Sequence, residues 1–206
     1  MIYPEQTRAR NAQLCWNWFR PGDQGRDGGE AALLADLAAA VATEHAVPAS
    51  RVFAAGLSAG GAMAAILAQT HPEVIRAAGV HSGLAPGSAC DVMSAFAAMR
   101  GDAAPGARAL DVPAIIFQGS ADGTVAPVNA GRLAGTLTDR RTRTGEAGGR
   151  RYDVLTARNA AGHPVEVWRI EGAGHAWSGG DPAGSHADRA GPDASAEMVR
   201  FFLSLD

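Results

Sequence analysis

Short apolar runs that close on glycine and lead into helical stretches constrain this chain more than any other feature. "RVFAAG" (51–56), "RAAGVHSG" (76–83), "VPAIIFQGSADG" (112–123) and "PVEVWRIEGAGH" (164–175) share that form. Between and around them stand "EAALLADLAAAVATEH" (30–45), "SAGGAMAAILAQT" (58–70), and helical patches at Asp91 to Arg100, Val128 to Leu137 and Ala194 to Leu205. In the first helical stretch Leu33, Leu34, Leu37, Ala38 and Val41 recur at helical spacing, and His71-Pro72 stops the second. Nearly continuous apolar strands alternating with helices mean strands buried on both faces, hence a mostly parallel sheet flanked by helices in an α/β fold. A chain of 206 residues fills one such core, so 1–206 is expected to be a single domain without linker or repeat.

Two segments depart from this rhythm. "TDRRTRTGEAGGRR" (138–151) carries five arginines and reads as a solvated loop, because a formal charge of −3 gives the chain no general attraction for nucleic acid or anionic membrane. "YDVLTARNAAGHPVEVWRI" (152–170) reads as a hairpin turning between Asn159 and Pro164, with His163 a polar turn residue. No apolar run approaches the eighteen or so residues of a spanning helix. "MIYPEQTRAR" lacks the basic and then apolar order of a leader peptide.

The chemistry concentrates in "VFAAGLSAGGAM" (52–63), where Ser58 ends a strand and opens a helix between Gly56 and Gly60. A G-x-S-x-G string is common by chance in a chain with 26 glycines, so its position decides its meaning. A turn that tight drives the serine to positive φ and requires small residues two places to either side. The free N–H groups of the helix start face any oxyanion formed beside the hydroxyl, and Ala59 supplies one donor. The structural alternative is that Ser58 only caps the helix.

A serine hydroxyl needs a base to take its proton and an acid to hold that base. In a parallel sheet both are expected in loops after later strands, in the order serine, acid, histidine. Asp122 follows "AIIFQG" in a glycine-rich turn, and His175 follows "EVWRI" in another. The alternatives are an Asx-turn residue and an ordinary loop histidine. His45 and His71 fall at helix ends, His81 comes too early for the base, and His186 lies in a glycine-rich loop tail. Asp102 and Asp111 read as surface acids.

These stretches, with "YPEQ" (3–6), "CWNWF" (15–19), "GSADGTV" (119–125) and "GAGHAWSGG" (172–180), make the chain resemble the polyhydroxybutyrate-depolymerase family of esterases. That branch of the α/β-hydrolase fold also holds feruloyl and acetylxylan esterases. The resemblance runs nearly end to end and implies a serine esterase with nucleophile Ser58, acid Asp122 and base His175, using no metal or organic cofactor. It implies a small-molecule or polymeric ester as partner, such as polyhydroxyalkanoate oligomers or feruloyl and acetyl esters. Trp16, Trp18 and Trp177 become candidates for a substrate wall, with packing under loops the alternative for the first two, and Trp168 is structural.

The chain also departs from the family. Relatives carry strands upstream of "YPEQ", one followed by a His-Gly-Cys loop that supplies the second oxyanion donor and a partner for the Cys15 position. Here "MIYPEQ" reads as the end of a strand, the N-terminal strands are absent from the pattern, and Cys15 and Cys90 are expected as free thiols, the buried state being the commoner one. An exposed sheet edge that could form a homo-oligomer follows, as does a rate penalty of about 10²- to 10³-fold for a missing donor. The competing readings are an impaired hydrolase remnant acting by binding or assembly, and a peptidase or lactone hydrolase on the same fold. Export to the periplasm or outside the cell is the family's expectation for the full-length form.

Overall fold

A computed structural model describes residues 1–102 and 104–205. In chain order the regular elements are α1 (Gly29–Glu44), β1 (Phe53–Leu57), α2 (Ala59–Thr70), β2 (Ala77–His81), α3 (Val92–Arg100), β3 (Ala114–Gly119) and α4 (Val128–Ala134). There follow β4 (Thr138–Ala147), β5 (Arg150–Arg158), β6 (Pro164–Ile170), the two-residue β7 (Trp177–Ser178) and β8 (Ala187–Asp188), and α5 (Ala194–Leu203). Six strands form one sheet in the order β1-β2-β3-β6-β5-β4. β1, β2, β3 and β6 run parallel, and β5 and β4 turn back antiparallel.

Period-two alternation divides the core. Ala78, Val80, Ala114 and Ile116 share one core with residues of α1, α2, α3 and α4, whereas Ala77, Ile115 and Phe117 share another with α5 on the other side. Gly79 lets α5 come close: a Cβ there would lie 2.7 Å from Met198 Sδ and 3.1 Å from the Phe202 ring. Phe202 also stacks on Phe53 with ring centroids 4.6 Å apart. The four parallel strands, the alternating helices and the hairpin at Asn159 match the sequence expectation. Asn159 closes that hairpin by accepting from the His163 N–H at 2.9 Å through its side chain.

Several expectations need correction. Residues 138–147 form the edge strand β4 rather than a loop, its residues almost all exposed. In place of apolar residues it uses long arginines, and the Arg143 guanidinium lies 4.9 Å from the Trp168 ring centroid. The inner face of α1 is Ala31, Leu34 and Ala35, leaving Leu33 and Leu37 exposed. Residues 1–6 adopt no regular structure rather than a strand end. Cys15 and Cys90 are free, as expected, but exposed instead of buried.

Candidate active site

The register of the parallel strands aligns Leu57, His81, Phe117 and Trp168 in one row across the sheet. The ladder then continues one residue beyond the strands: Ser58 N–H donates to the His81 carbonyl at 2.9 Å, and Ser82 N–H to the Phe117 carbonyl at 2.8 Å. Ser120 and Ala121 N–H groups donate to the Ile170 and Ala173 carbonyls at 2.9 and 3.0 Å. The loops after β1, β2, β3 and β6 are therefore fixed to one another at the carboxyl edge of the sheet, where an open α/β sheet places its ligands.

Ser58 has φ 56° and ψ −119°, a strained conformation for a residue with a side chain. Its side chain makes no capping hydrogen bond to α2, so the helix does not consume the hydroxyl. The steric demand falls on Gly56, where a Cβ would lie 2.4 Å from the Gly60 carbonyl carbon, and on Gly61, where it would lie 2.9 Å from the Gly56 oxygen. Gly60 is roomier than the sequence suggests: its nearest neighbour would be Trp16 Cδ1 at 4.0 Å. Ala59 is the first residue of α2, and helix geometry leaves its N–H without an intrahelical acceptor.

Asp122 and His175 meet. Asp122 Oδ2 lies 2.8 Å from His175 Nδ1, while its other oxygen accepts from the N–H groups of Thr124 at 2.9 Å and Val125 at 2.8 Å. Gln118 Nε2 donates to Oδ2 at 3.1 Å. Burial alone would push the Asp122 carboxyl up. Hydrogen bonds from His175, the Val125 N–H and Ser82, together with the nearby His175 charge, outweigh it and hold the carboxyl below its ordinary range. The Asp122 side chain is fully covered and that of His175 is 14% exposed, so solvent and small molecules reach only the imidazole. With Nδ1 engaged, Nε2 is the ring nitrogen left to exchange protons. Gly119 permits this arrangement: a Cβ there would lie 2.3 Å from the Ala173 oxygen in the histidine's loop.

The tryptophans divide. Trp16 is half-buried beside Gly60. Trp177 is half-buried, stacked on the His81 ring with centroids 5.4 Å apart, and its Nε1 donates to Ser195 Oγ at 3.1 Å. Trp18 is a correction: at 6% exposure it belongs to the core under α1 and α2, so its ring does not line an open site. Trp168 is buried in β6, as expected.

Two features carry no weight in the sequence reading yet organise the site. Glu30, at the start of α1, accepts from the Asn17 N–H at 2.6 Å, Asn17 Nδ2 at 2.5 Å and Gln6 Nε2 at 2.6 Å, pinning the "YPEQ" and "CWNWF" segments together. His81 and Ser82, both fully buried, sit at the centre of the edge. A histidine ending a wholly buried strand is a signal, because a buried imidazole needs partners. A cleft of about 650 Å³ beside Ser120, lined by Arg151, Arg169, Glu146 and Asp153, holds none of the three candidate residues.

Residues 1–160 match the Esterase PHB depolymerase family. The chain is 33% identical over 196 residues to poly(3-hydroxyalkanoate) depolymerase C of Paucimonas lemoignei, covering 85% of this chain and 47% of that protein. It is 34% identical over 96 residues to feruloyl esterase B of Thermothelomyces thermophilus, covering 46% of this chain and 32% of that one. The chain thus spans about half, or less, of the length of these curated relatives. The solved acetyl xylan esterase from Aspergillus awamori superposes with a TM-score of 0.65 at 16% identity, over 94% of this chain and 74% of that one, which establishes a shared fold. With that match, the parallel sheet has the α/β-hydrolase fold, and the chain belongs to the Esterase PHB depolymerase family.

Proposed function

We propose that this chain hydrolyses carboxylic esters through an acyl-enzyme formed on Ser58. The observation that carries the reading is the Asp122–His175 pair at 2.8 Å, set on the same sheet edge as a serine held at φ 56°. Ser58 Oγ attacks the ester carbonyl while His175 Nε2 takes its proton, and the Ala59 N–H receives the developing oxyanion. His175 then protonates the leaving alcohol. Water, deprotonated by the same imidazole, attacks the acyl-enzyme and releases the acid and free Ser58. Asp122 fixes the tautomer and stabilises the imidazolium without itself taking the proton. The relatives' names point to 3-hydroxyalkanoate oligomers, feruloyl esters and acetylated sugars as substrates, with Trp16 and Trp177 as aromatic neighbours for the acyl or alcohol group.

A fluorophosphonate probe tests this directly. Stoichiometric labelling at Ser58, absent from Ser58→Ala, is expected, with turnover of p-nitrophenyl butyrate and a 3-hydroxybutyrate trimer. A folded protein that takes no label and turns over no ester overturns the reading in favour of a non-catalytic hydrolase fold.

A further inference from the structure

We propose that Gln118, the penultimate residue of β3, is a positioning residue for the acid: it pins Asp122 Oδ2 in place and shares that oxygen with the His175 imidazole. The inference rests on the triad reading above.

The position of Gln118 follows from strand geometry. Side chains of β3 alternate between the two layers, and Gln118 follows Ala114 and Ile116 onto the side of the core shared with α2, α3 and α4. A long amide that is 2% exposed must match its polar atoms within the protein. Three oxygens gather at its Nε2 end: Asp122 Oδ2 at 3.1 Å, the Val125 carbonyl at 3.1 Å and the Gly119 carbonyl at 3.4 Å. Carbonyls and an ionised carboxylate only accept, so this end is the NH2 and the amide has one orientation. Its two hydrogens serve the two nearer oxygens. Val125 is thereby held twice, giving its N–H to Asp122 Oδ1 at 2.8 Å and receiving Gln118 at its carbonyl.

A carboxylate offers about four lone-pair sites. Donors reach Asp122 in pairs, the Thr124 and Val125 N–H groups at Oδ1, and Gln118 and His175 at Oδ2. The pair at Oδ1 ties the carboxylate to its turn but leaves it able to pivot about that oxygen. Gln118 adds a second point of attachment, on the oxygen that meets the base and from the rigid strand beneath. It also sets the strength of that meeting, because Oδ2 divides its negative charge between two donors and holds the His175 proton less tightly than an oxygen with one. The residue after Gln118 is Gly119, which admits the histidine's loop, so adjacent positions of β3 place acid and base. His81, at the end of β2, is the ionisable group of a neighbouring strand that couples to both, and burial keeps it neutral. Ala121, Gly123, Gly174 and Ala176, beside the pair in its own two loops, carry no charge.

Two measurements test the proposal. On the wild type without substrate, ¹⁵N-edited NMR is expected to show a Gln118 Nε2 proton that shifts as His175 titrates, since both donate to one oxygen. A Gln118 amide that ignores the His175 titration overturns the sharing. Gln118→Met keeps the length of the side chain and removes the donor. With its fold checked by thermal melting and its sites counted by fluorophosphonate, it is expected to lower kcat on p-nitrophenyl butyrate about 10-fold at unchanged KM. Oδ2 then keeps the His175 proton to higher pH, so the acid limb of kcat/KM moves up. A glutamine that only packs would lower the melting temperature and leave the limb in place. Wild-type kcat with an unmoved limb in Gln118→Met overturns the proposal. Failure of the wild type to label at Ser58 counts instead against the triad reading, and the NMR titration then still decides the Gln118 arrangement, as it does where Gln118→Met fails to fold.

Discussion

Asp122 uses its two oxygens for different tasks: Oδ2 meets His175 Nδ1 at 2.8 Å, and Oδ1 is tied to the turn by the N–H groups of Thr124 and Val125. The carboxyl is thus oriented by its own loop before it orients the imidazole. An amide in its place keeps the turn but offers an N–H to Nδ1, forcing the proton onto Nε2, where it blocks base catalysis. Asp122→Asn is expected to lose about 10⁴-fold in kcat with little change in stability. A loss under tenfold, measured on a p-nitrophenyl ester at pH 7.5, would remove Asp122 from the acid's role.

Stability should depend on pH through His81. Burial lowers this group from 6.5 to about 4. The unfolded chain therefore takes up a proton as pH falls through 6.5, while the folded protein resists until about 4. The stabilisation is complete above pH 6.5 and declines by about 3 kcal/mol on going down to pH 4. Asp122, whose folded carboxyl is depressed, acts in a lower window: its contribution holds above the ordinary carboxyl range and is lost only as pH falls through its folded value. Urea unfolding from pH 7 to pH 4 reads the His81 slope, and His81→Asn should flatten it. An equal slope in both proteins refutes the assignment.

The elbow glycines are not equivalent. Gly56→Ala drives a Cβ to 2.4 Å from the Gly60 carbonyl carbon, backbone against backbone, and is expected to cost at least about 1–3 kcal/mol together with the activity. Gly60→Ala meets only Trp16 at 4.0 Å and lies within a helix, where alanine gains roughly 0.5–1 kcal/mol over glycine. Melting temperatures should move in opposite directions. Equal losses would mean that the elbow's tightness is shared by both positions.

Most of what positions this site was legible because burial leaves a pattern. β1, β2, β3 and β6 are short, mostly buried or half-buried runs bounded by glycine, and Asp122 and His175 follow them at predictable places. β4 escaped because neither of its faces is buried, so it shows no alternation, and an arginine supplies the cover that an apolar residue would otherwise give Trp168. Leu33 and Leu37 misled because helical spacing cannot tell which of two apolar stripes turns inward. Trp18 misled because a signature motif marks a segment and not the direction of each ring. Glu30 and His81 escaped as well because their partners come from other segments: Gln6 is 24 residues from Glu30, and Ser178 is 97 residues from His81.

Glu30 provides the last test, because its role is confined to one corner of the molecule. Its carboxyl, in a residue 7% exposed, gathers the Asn17 N–H, the Asn17 amide and the Gln6 amide. Glu30→Ala strands those donors, with Asn17 itself 1% exposed, and each buried donor left unpaired costs about 1–3 kcal/mol. Trp18 also anchors the chain before residue 20 in the core, but the side-chain hydrogen bonds of Gln6 and Asn17 to α1 all go to Glu30, so the expected result is local release before global unfolding. Limited proteolysis should nick 1–20 several-fold faster in Glu30→Ala. Release would free Trp16 from Gly60, lowering kcat/KM on bulky aromatic esters more than on p-nitrophenyl acetate. A Glu30→Ala protein cleaved at the wild-type rate, with the same preference between the two esters, would show that Glu30 does not hold this segment against the elbow.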